Sequence, residues 1–373
     1  MLALSFFSFL VFGLPAVTCH PGHSSGSEAE ERATFLAQGP RTVKECAEHS
    51  TVRRPFAQRR DKPAAEETSG RGIGIPFFSI NEPDYVRRNL KVLLSTDHEA
   101  GLEKGDEGLL LFADYASYAM QPLVTPGPYF VTGELIRSDI RETQTGIPLF
   151  LEMQFIDTRT CRPIENLYVE IWHANATGVY SGVASIDNGD SLSTLEVEEG
   201  ETGERKMTGG IVDESWLRGV QQTSADGVVR FETVMPGWYL GRATHIHLLA
   251  HNPASVKQLL NNTLFSPTSA NHSVQASHVG QIFFDSVLLN RVAEAYPYHT
   301  NSQWRIKNGE DAVFMQEGDS SDPIVQYVML GSGIEDGLMG WITIGIDPEV
   351  SVNIKGTASW FGSWGRMWKK LWR

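Results

Sequence analysis

Cysteine is scarce in this chain, with three among 373 residues, which leaves room for one disulfide and no dense cross-linked scaffold. Basic charge is short as well: 31 Lys and Arg face 45 Asp and Glu, for a formal net charge of -14. So acidic a surface repels phosphate backbones unless a local basic patch overrides it, and the body of the chain holds none, which argues against nucleic acid as a partner. No apolar stretch reaches the ~20 residues of a transmembrane segment. Internal repeats, long helical periods, and the G-x-S-x-G, P-loop and dinucleotide-binding patterns are all missing.

What is present is strand-forming. Hydrophobic residues make up 41% and charged residues 20%, near the globular norm, while 35 Gly, 18 Pro and 10% aromatics favour turns and strands over bundled helices. Wholesale disorder is thereby excluded. The length allows two domains, or one large β domain with extensions.

Residues 2–17 form an apolar run of about fifteen, too short for a membrane span and right for a signal-peptide core. Cleavage after Cys19 is expected, with Ala16 as a competing site, so the mature chain would begin at His20 and be secreted. Cys46 and Cys161 would then remain, either bridged across a long loop or buried as two thiols. Asn175, Asn261 and Asn271 head glycosylation triplets that suit an exported protein.

The chain divides into a signal peptide at 1–19, a helical or loop arm and linker at 20–120, a β domain at 121–348 and a basic Trp-rich tail at 349–373. In the β domain the short runs PLFLEMQFID, LYVEIWHA, GVVRFETV, THIHLLA, QIFFDSV and WITIGID alternate with Gly, Pro, Asn and Asp, the pattern of a sandwich or barrel. An acidic insertion at 185–207 reads as a solvated loop or a lid. In the tail, Trp360, Trp364, Trp368 and Trp372 recur every fourth residue beside Arg366, Lys369, Lys370 and Arg373. On a helix that stripe would pack on the protein's own core, or lie on a surface or partner.

The chemistry concentrates near His245-Ile246-His247. Alternate residues of a strand share a face, so the two imidazoles point one way and Ile246 the other, half of a metal site. Eleven His in a chain of this length give such a pair by chance roughly one third of the time, so the pair alone decides little. Tyr239 sits just upstream behind a Pro-Gly turn, and Tyr180 ends a turn that follows LYVEIWHA. Two phenols and two imidazoles make an oxygen- and nitrogen-rich donor set suited to Fe(III).

Four ordered blocks extend the pattern: 157–163 (DTRTCRP), 169–183 (VEIWHANATGVYSGV), 218–247 (RGVQQTSADGVVRFETVMPGWYLGRATHIH) and 278–285 (HVGQIFFD). Over roughly 120–345 the chain resembles the intradiol ring-cleavage dioxygenases, and especially their secreted fungal-type branch. The resemblance implies a mainly β, sandwich-type core and a non-haem Fe(III) held by Tyr180, Tyr239, His245 and His247. It implies Arg242, Tyr239 and Gln281 as catalytic residues, with Tyr239 the axial tyrosinate that a catechol displaces and that then accepts a proton. It also implies a small aromatic diol and O2 as partners, a cis,cis-muconate-type product, and possible homodimers. The Tyr239-to-His245 spacing is shorter than in bacterial members, and the arm, the insertion and the tail have no counterpart in their core. A glycan on Asn175 would crowd Tyr180, so that triplet is expected to be unused or its sugar to point away.

Other assignments stand beside this one. Asp157, Glu170 or Asp285 could join the two His in an Fe(II) site. Trp172 and Trp238 read as core residues, and His173, His251 and His278 as structural ones. A mature N-terminal His20 could chelate copper as in secreted monooxygenases. A secreted β-sandwich that binds a glycan or surface through its aromatic loops is the non-enzymatic alternative.

Overall fold

The computed structural model describes residues 46, 90–100, 112, 118–119, 126–183, 196–199, 205–208, 214–266, 273–318 and 321–359. The signal segment, His20, the Trp stripe at 360–373 and Asn271 lie outside them. Eleven strands build the two sheets: β1 (Tyr118–Ala119), β2 (Pro148–Asp157), β3 (Arg162–Pro163), β4 (Tyr168–Trp172), β5 (Arg218–Gln222), β6 (Val228–Val234), β7 (His245–His251), β8 (Ser273–Phe283), β9 (Gln326–Met329), β10 (Leu338–Ile346) and β11 (Val352–Lys355).

The first sheet is mixed. β10 runs parallel to β2 and to β1, while β9 pairs antiparallel with β10, and β3 and β6 with β2. The second is antiparallel throughout, in the order β11-β8-β7-β4-β5. Alternation decides what lies between them. Leu149, Leu151, Met153 and Phe155 of β2 meet Ile246, Leu248 and Ala250 of β7 and Val169 and Ile171 of β4 in one core. That is the expected sandwich. The sheets also run past position 348, since β11 pairs with β8 and Ala358–Ser359 pairs with Val131–Thr132.

Two segments differ from the sequence reading. QIFFDSV stops being a strand at Phe283, because the Asp285 carboxylate accepts from the Leu288 N–H at 2.8 Å and starts helix α2, which follows a short first helix, α1 (Leu90–Ser95), and covers Ser286–Glu294. A third helix, α3, spans Ala312–Gly318. Inside the acidic insertion, Glu196–Glu199 and Arg205–Thr208 pair as an antiparallel ribbon.

Cys46 and Cys161 are bridged across 115 residues. In the chain-entropy model a loop of that length contributes about 4 to 5 kcal/mol. No helix among the described residues is long and apolar enough to cross a membrane.

The arm is also clipped to the sandwich by a buried charge. The backbone N–H of His98 donates to Asp285 Oδ2 at 2.9 Å, and its Nε2 lies 3.3 Å from Asp322 Oδ2. Burial alone would lower the pKa of this imidazole, but its bonds to Asp285 and Asp322 outweigh that and raise it from 6.5 to about 9. A raised pKa means that the stabilisation is complete below about 6.5 and disappears as pH rises through about 9. Thermal melting of the protein and of His98→Gln should therefore differ most near pH 6 and converge by pH 10. A gap that stays constant with pH would show that His98 is not held as a cation.

Candidate metal centre

β7 is buried along its whole length because each of its faces has a cover. Its even residues fill the sandwich, while its odd residues turn to a second cluster that includes Tyr129, Phe130, Trp172, Tyr180 and Tyr239. His245 and His247 thus share the outer face, as their spacing required. Cross-strand pairing sets His247 beside Gln281 of β8 and Trp172 of β4, and Trp172 beside Arg218 of β5. The Trp172 ring lies flat on the His247 imidazole, centroids 4.9 Å apart and planes 2° from parallel. On the other side, Gly127 adopts φ +72, and a Cβ there would sit 3.1 Å from His247 Cε1. The imidazole is wedged between an aromatic plate and a backbone turn.

The two tyrosines come from loops that lean on each other. Asn175 Oδ1 accepts from the N–H groups of Thr177 and Val179, shaping the turn that delivers Tyr180. The Tyr239 turn is bound to it: Gly237 N–H donates to Asn175 O at 3.1 Å, and Asn301 and Gln303 tie Trp238 and Leu240 in place. Gly241 at φ +82 then brings Arg242 back beneath Tyr239. Asn175 Nδ2 donates to Gln144 Oε1 at 3.2 Å, so the side chain that would carry a glycan is already engaged.

Four side chains meet as a result. Tyr239 Oη lies 3.3 Å from His245 Nε2, which lies 3.0 Å from His247 Nε2, and the Tyr180 ring lies beside them, its centroid 5.5 Å from that of Tyr239 and 6.0 Å from that of His247. Donors about 2 Å from one ion stand about 3 Å from each other, the spacing seen here. His245 Nδ1 donates to Ala243 O at 2.6 Å, which leaves the Nε2 lone pair facing the cluster. Burial pushes both phenols upward; Tyr239 raises Tyr180 further, whereas Arg242 opposes the shift on each. Phenols so placed become phenolates beside a strong positive charge, so the donor set fits a trivalent cation.

Arg242 and Gln281 join the same cluster: Arg242 Nη2 donates to Gln281 Oε1, and Nε donates to Asp311 Oδ2 at 2.7 Å. Burial opposes the guanidinium charge, but Tyr239 and Asp311 hold it, raising the pKa. All six expected site residues are therefore brought together. Tyr129, Asp311 and the stacking role of Trp172 were missed. Tyr129 stacks on Tyr180 with centroids 4.4 Å apart, and only the TPGP turn before it marked its place.

The rival carboxylates lie elsewhere. Glu170 bonds His251 at 2.7 Å, and burial raises the pKa of that carboxyl and lowers that of the imidazole. Asp285 caps α2 and Asp157 holds a turn. Among the described residues no cluster of three or more His, Cys, Asp and Glu could hold a metal, so any site here needs the tyrosines. His173 is a structural residue, bound to Thr233 Oγ1 at 2.7 Å, with burial lowering its pKa to about 4. Since Gly178 sits at φ +83 and a Cβ there would collide with the Trp238 carbonyl, Gly178→Ala should force the two tyrosine loops apart. A cost of about 1 to 3 kcal/mol is expected in thermal or denaturant melting. Unchanged stability would mean that the loops are not coupled.

No family model and no curated protein matches the chain. Among solved structures, an intradiol ring-cleavage dioxygenase from Tetranychus urticae is 30% identical, covering 64% of this chain and 98% of its own length, with a TM-score of 0.47. A second dioxygenase is 28% identical over 65% of this chain and 99% of its own, with a TM-score of 0.48. Catechol 1,2-dioxygenase from an Acinetobacter species is 18% identical over 64% of this chain and 68% of its own, at a TM-score of 0.36. With 30% identity sustained along nearly the full length of the Tetranychus protein, the chain belongs to the intradiol ring-cleavage dioxygenase family of oxidoreductases.

Proposed function

We propose that the protein opens a catechol-type ring between its two hydroxyls, using O2 and a non-haem Fe(III) held by Tyr180, Tyr239, His245 and His247, and forms a cis,cis-muconate-type product. The observation that carries this reading is the meeting of Tyr239 Oη, His245 Nε2 and His247 Nε2, 3.3 and 3.0 Å apart in that order, in a buried cluster that also holds the Tyr180 ring, 5.5 Å from that of Tyr239. When bound, the ferric ion supplies the Lewis acidity that favours a doubly deprotonated catechol and directs O2 to the ring.

The chain's own groups do the rest. Tyr239 Oη, 3.3 Å from His245 Nε2, would be the basic atom placed to accept a substrate proton. Arg242 offers a fixed positive charge to the negative charge that develops on the ring. Gln281 holds the guanidinium from its Nη2 side. Trp172 and Gly127 keep His247 from turning. The buried aromatic cover excludes water from the reacting ring.

Export belongs to the same proposal. The apolar run at 2–17 and the Cys46–Cys161 bridge both suit an oxidising, extracellular setting.

Purified, iron-loaded protein should show a visible tyrosinate-to-iron absorption band and consume O2 with substituted catechols. Tyr239→Phe and His245→Ala should reduce colour and turnover together, with turnover falling by on the order of 10²-fold or more. A colourless, iron-free protein after iron supplementation, or full catechol cleavage by both variants, would contradict the proposal.

A further inference from the structure

Asp311 is completely buried and uses its two oxygens for different tasks. Oδ1 accepts from the backbone N–H groups of Val313 and Phe314, at 2.9 and 3.0 Å, and so starts α3. Oδ2 accepts from Arg242 Nε at 2.7 Å and from the Ala243 N–H at 2.8 Å. A helix cap needs one accepting oxygen and no charge. The second oxygen and the charge are accounted for by Arg242, which is only 3% exposed and would be costly to bury without a counter-charge.

The consequence is geometric. A guanidinium is a rigid planar fork, and this one is anchored on its Nε edge by Asp311 and at Nη2 by Gln281. Two anchors fix the plane and leave it no free rotation. Ala243 is held at its N–H by Asp311, and its carbonyl in turn accepts from His245 Nδ1 at 2.6 Å. One carboxylate therefore sets the guanidinium plane and backs the imidazole that faces the donor cluster.

We infer that Asp311 is a positioning residue for ring cleavage, holding Arg242 in the orientation in which its charge meets the reacting ring; this rests on the function proposed above. The role is distinct from that of Gln281, which touches the same guanidinium but carries no charge.

Asp311→Asn, Arg242→Ala and the double variant, all iron-loaded, form the test. Asp311→Asn should lower kcat with catechol by on the order of 10²-fold, with KM moving much less, while iron content stays at the wild-type level. The double variant should be no slower than Arg242→Ala alone, because Asp311 acts through Arg242. A kcat within twofold of wild type, or losses that multiply in the double variant, would overturn the inference. If wild type itself cleaves no catechol, the functional reading fails, and a crystal structure of Asp311→Asn decides the positioning claim separately: Arg242 swung away from Gln281 supports it, and Arg242 unmoved overturns it. Should Asp311→Asn not fold, Asp311→Glu keeps the charge on a longer arm and is expected to lower kcat at unchanged iron content, whereas wild-type kcat would count against the role.

Discussion

A strand with period two, covered on both faces, is the constraint on which the rest of this molecule depends. β7 gives Ile246, Leu248 and Ala250 to the sandwich core and turns His245 and His247 to the opposite side. Sliding β7 by one residue against β8 and β4 would bury the imidazoles in the hydrocarbon core and expel the aliphatics, so register and site are specified by the same packing. The buried area that fixes the fold is also what fixes the geometry of the two imidazoles.

The second half of the site depends on backbone, not on side-chain burial. Tyr180 and Tyr239 lie far apart in sequence, and each is delivered by a turn whose polar groups bind the other turn: Gly237 on Asn175, Asn301 on Ala176 and Trp238, Gln303 on Thr177 and Leu240. Each of these bonds is worth about 1 kcal/mol net, but together they leave the phenols one relative position. Preorganisation of this kind is what a chelating substrate and a fixed cation both require.

Much of this was legible in residue order. The run 148–157 is a strand over its full length because its inward residues alternate without interruption. The H-x-H face followed from strand geometry, and the four blocks that carry the resemblance singled out Tyr180, Tyr239, Arg242 and Gln281, which the fold brings near one another. What could not be read were partnerships across long separations. Nothing near position 311 says that its carboxylate meets Arg242, 69 residues away. Trp172 reads as an ordinary core residue until strand pairing sets it flat against His247. Cysteine count alone left Cys46 and Cys161 either bridged or buried separately, and only the fold brought them together. Local signals were also overruled once, where Asp285 converted the end of an apolar run into a helix start.

Resonance Raman spectroscopy of the iron-loaded protein, excited in its visible band, tests the converging donor set most directly. Two inequivalent tyrosinate ligands should give two resolved phenolate C–O stretches, one of which disappears in Tyr180→Phe and the other in Tyr239→Phe. A single phenolate signature, or a spectrum unaltered by Tyr180→Phe, would show that these phenols and imidazoles do not share one ion.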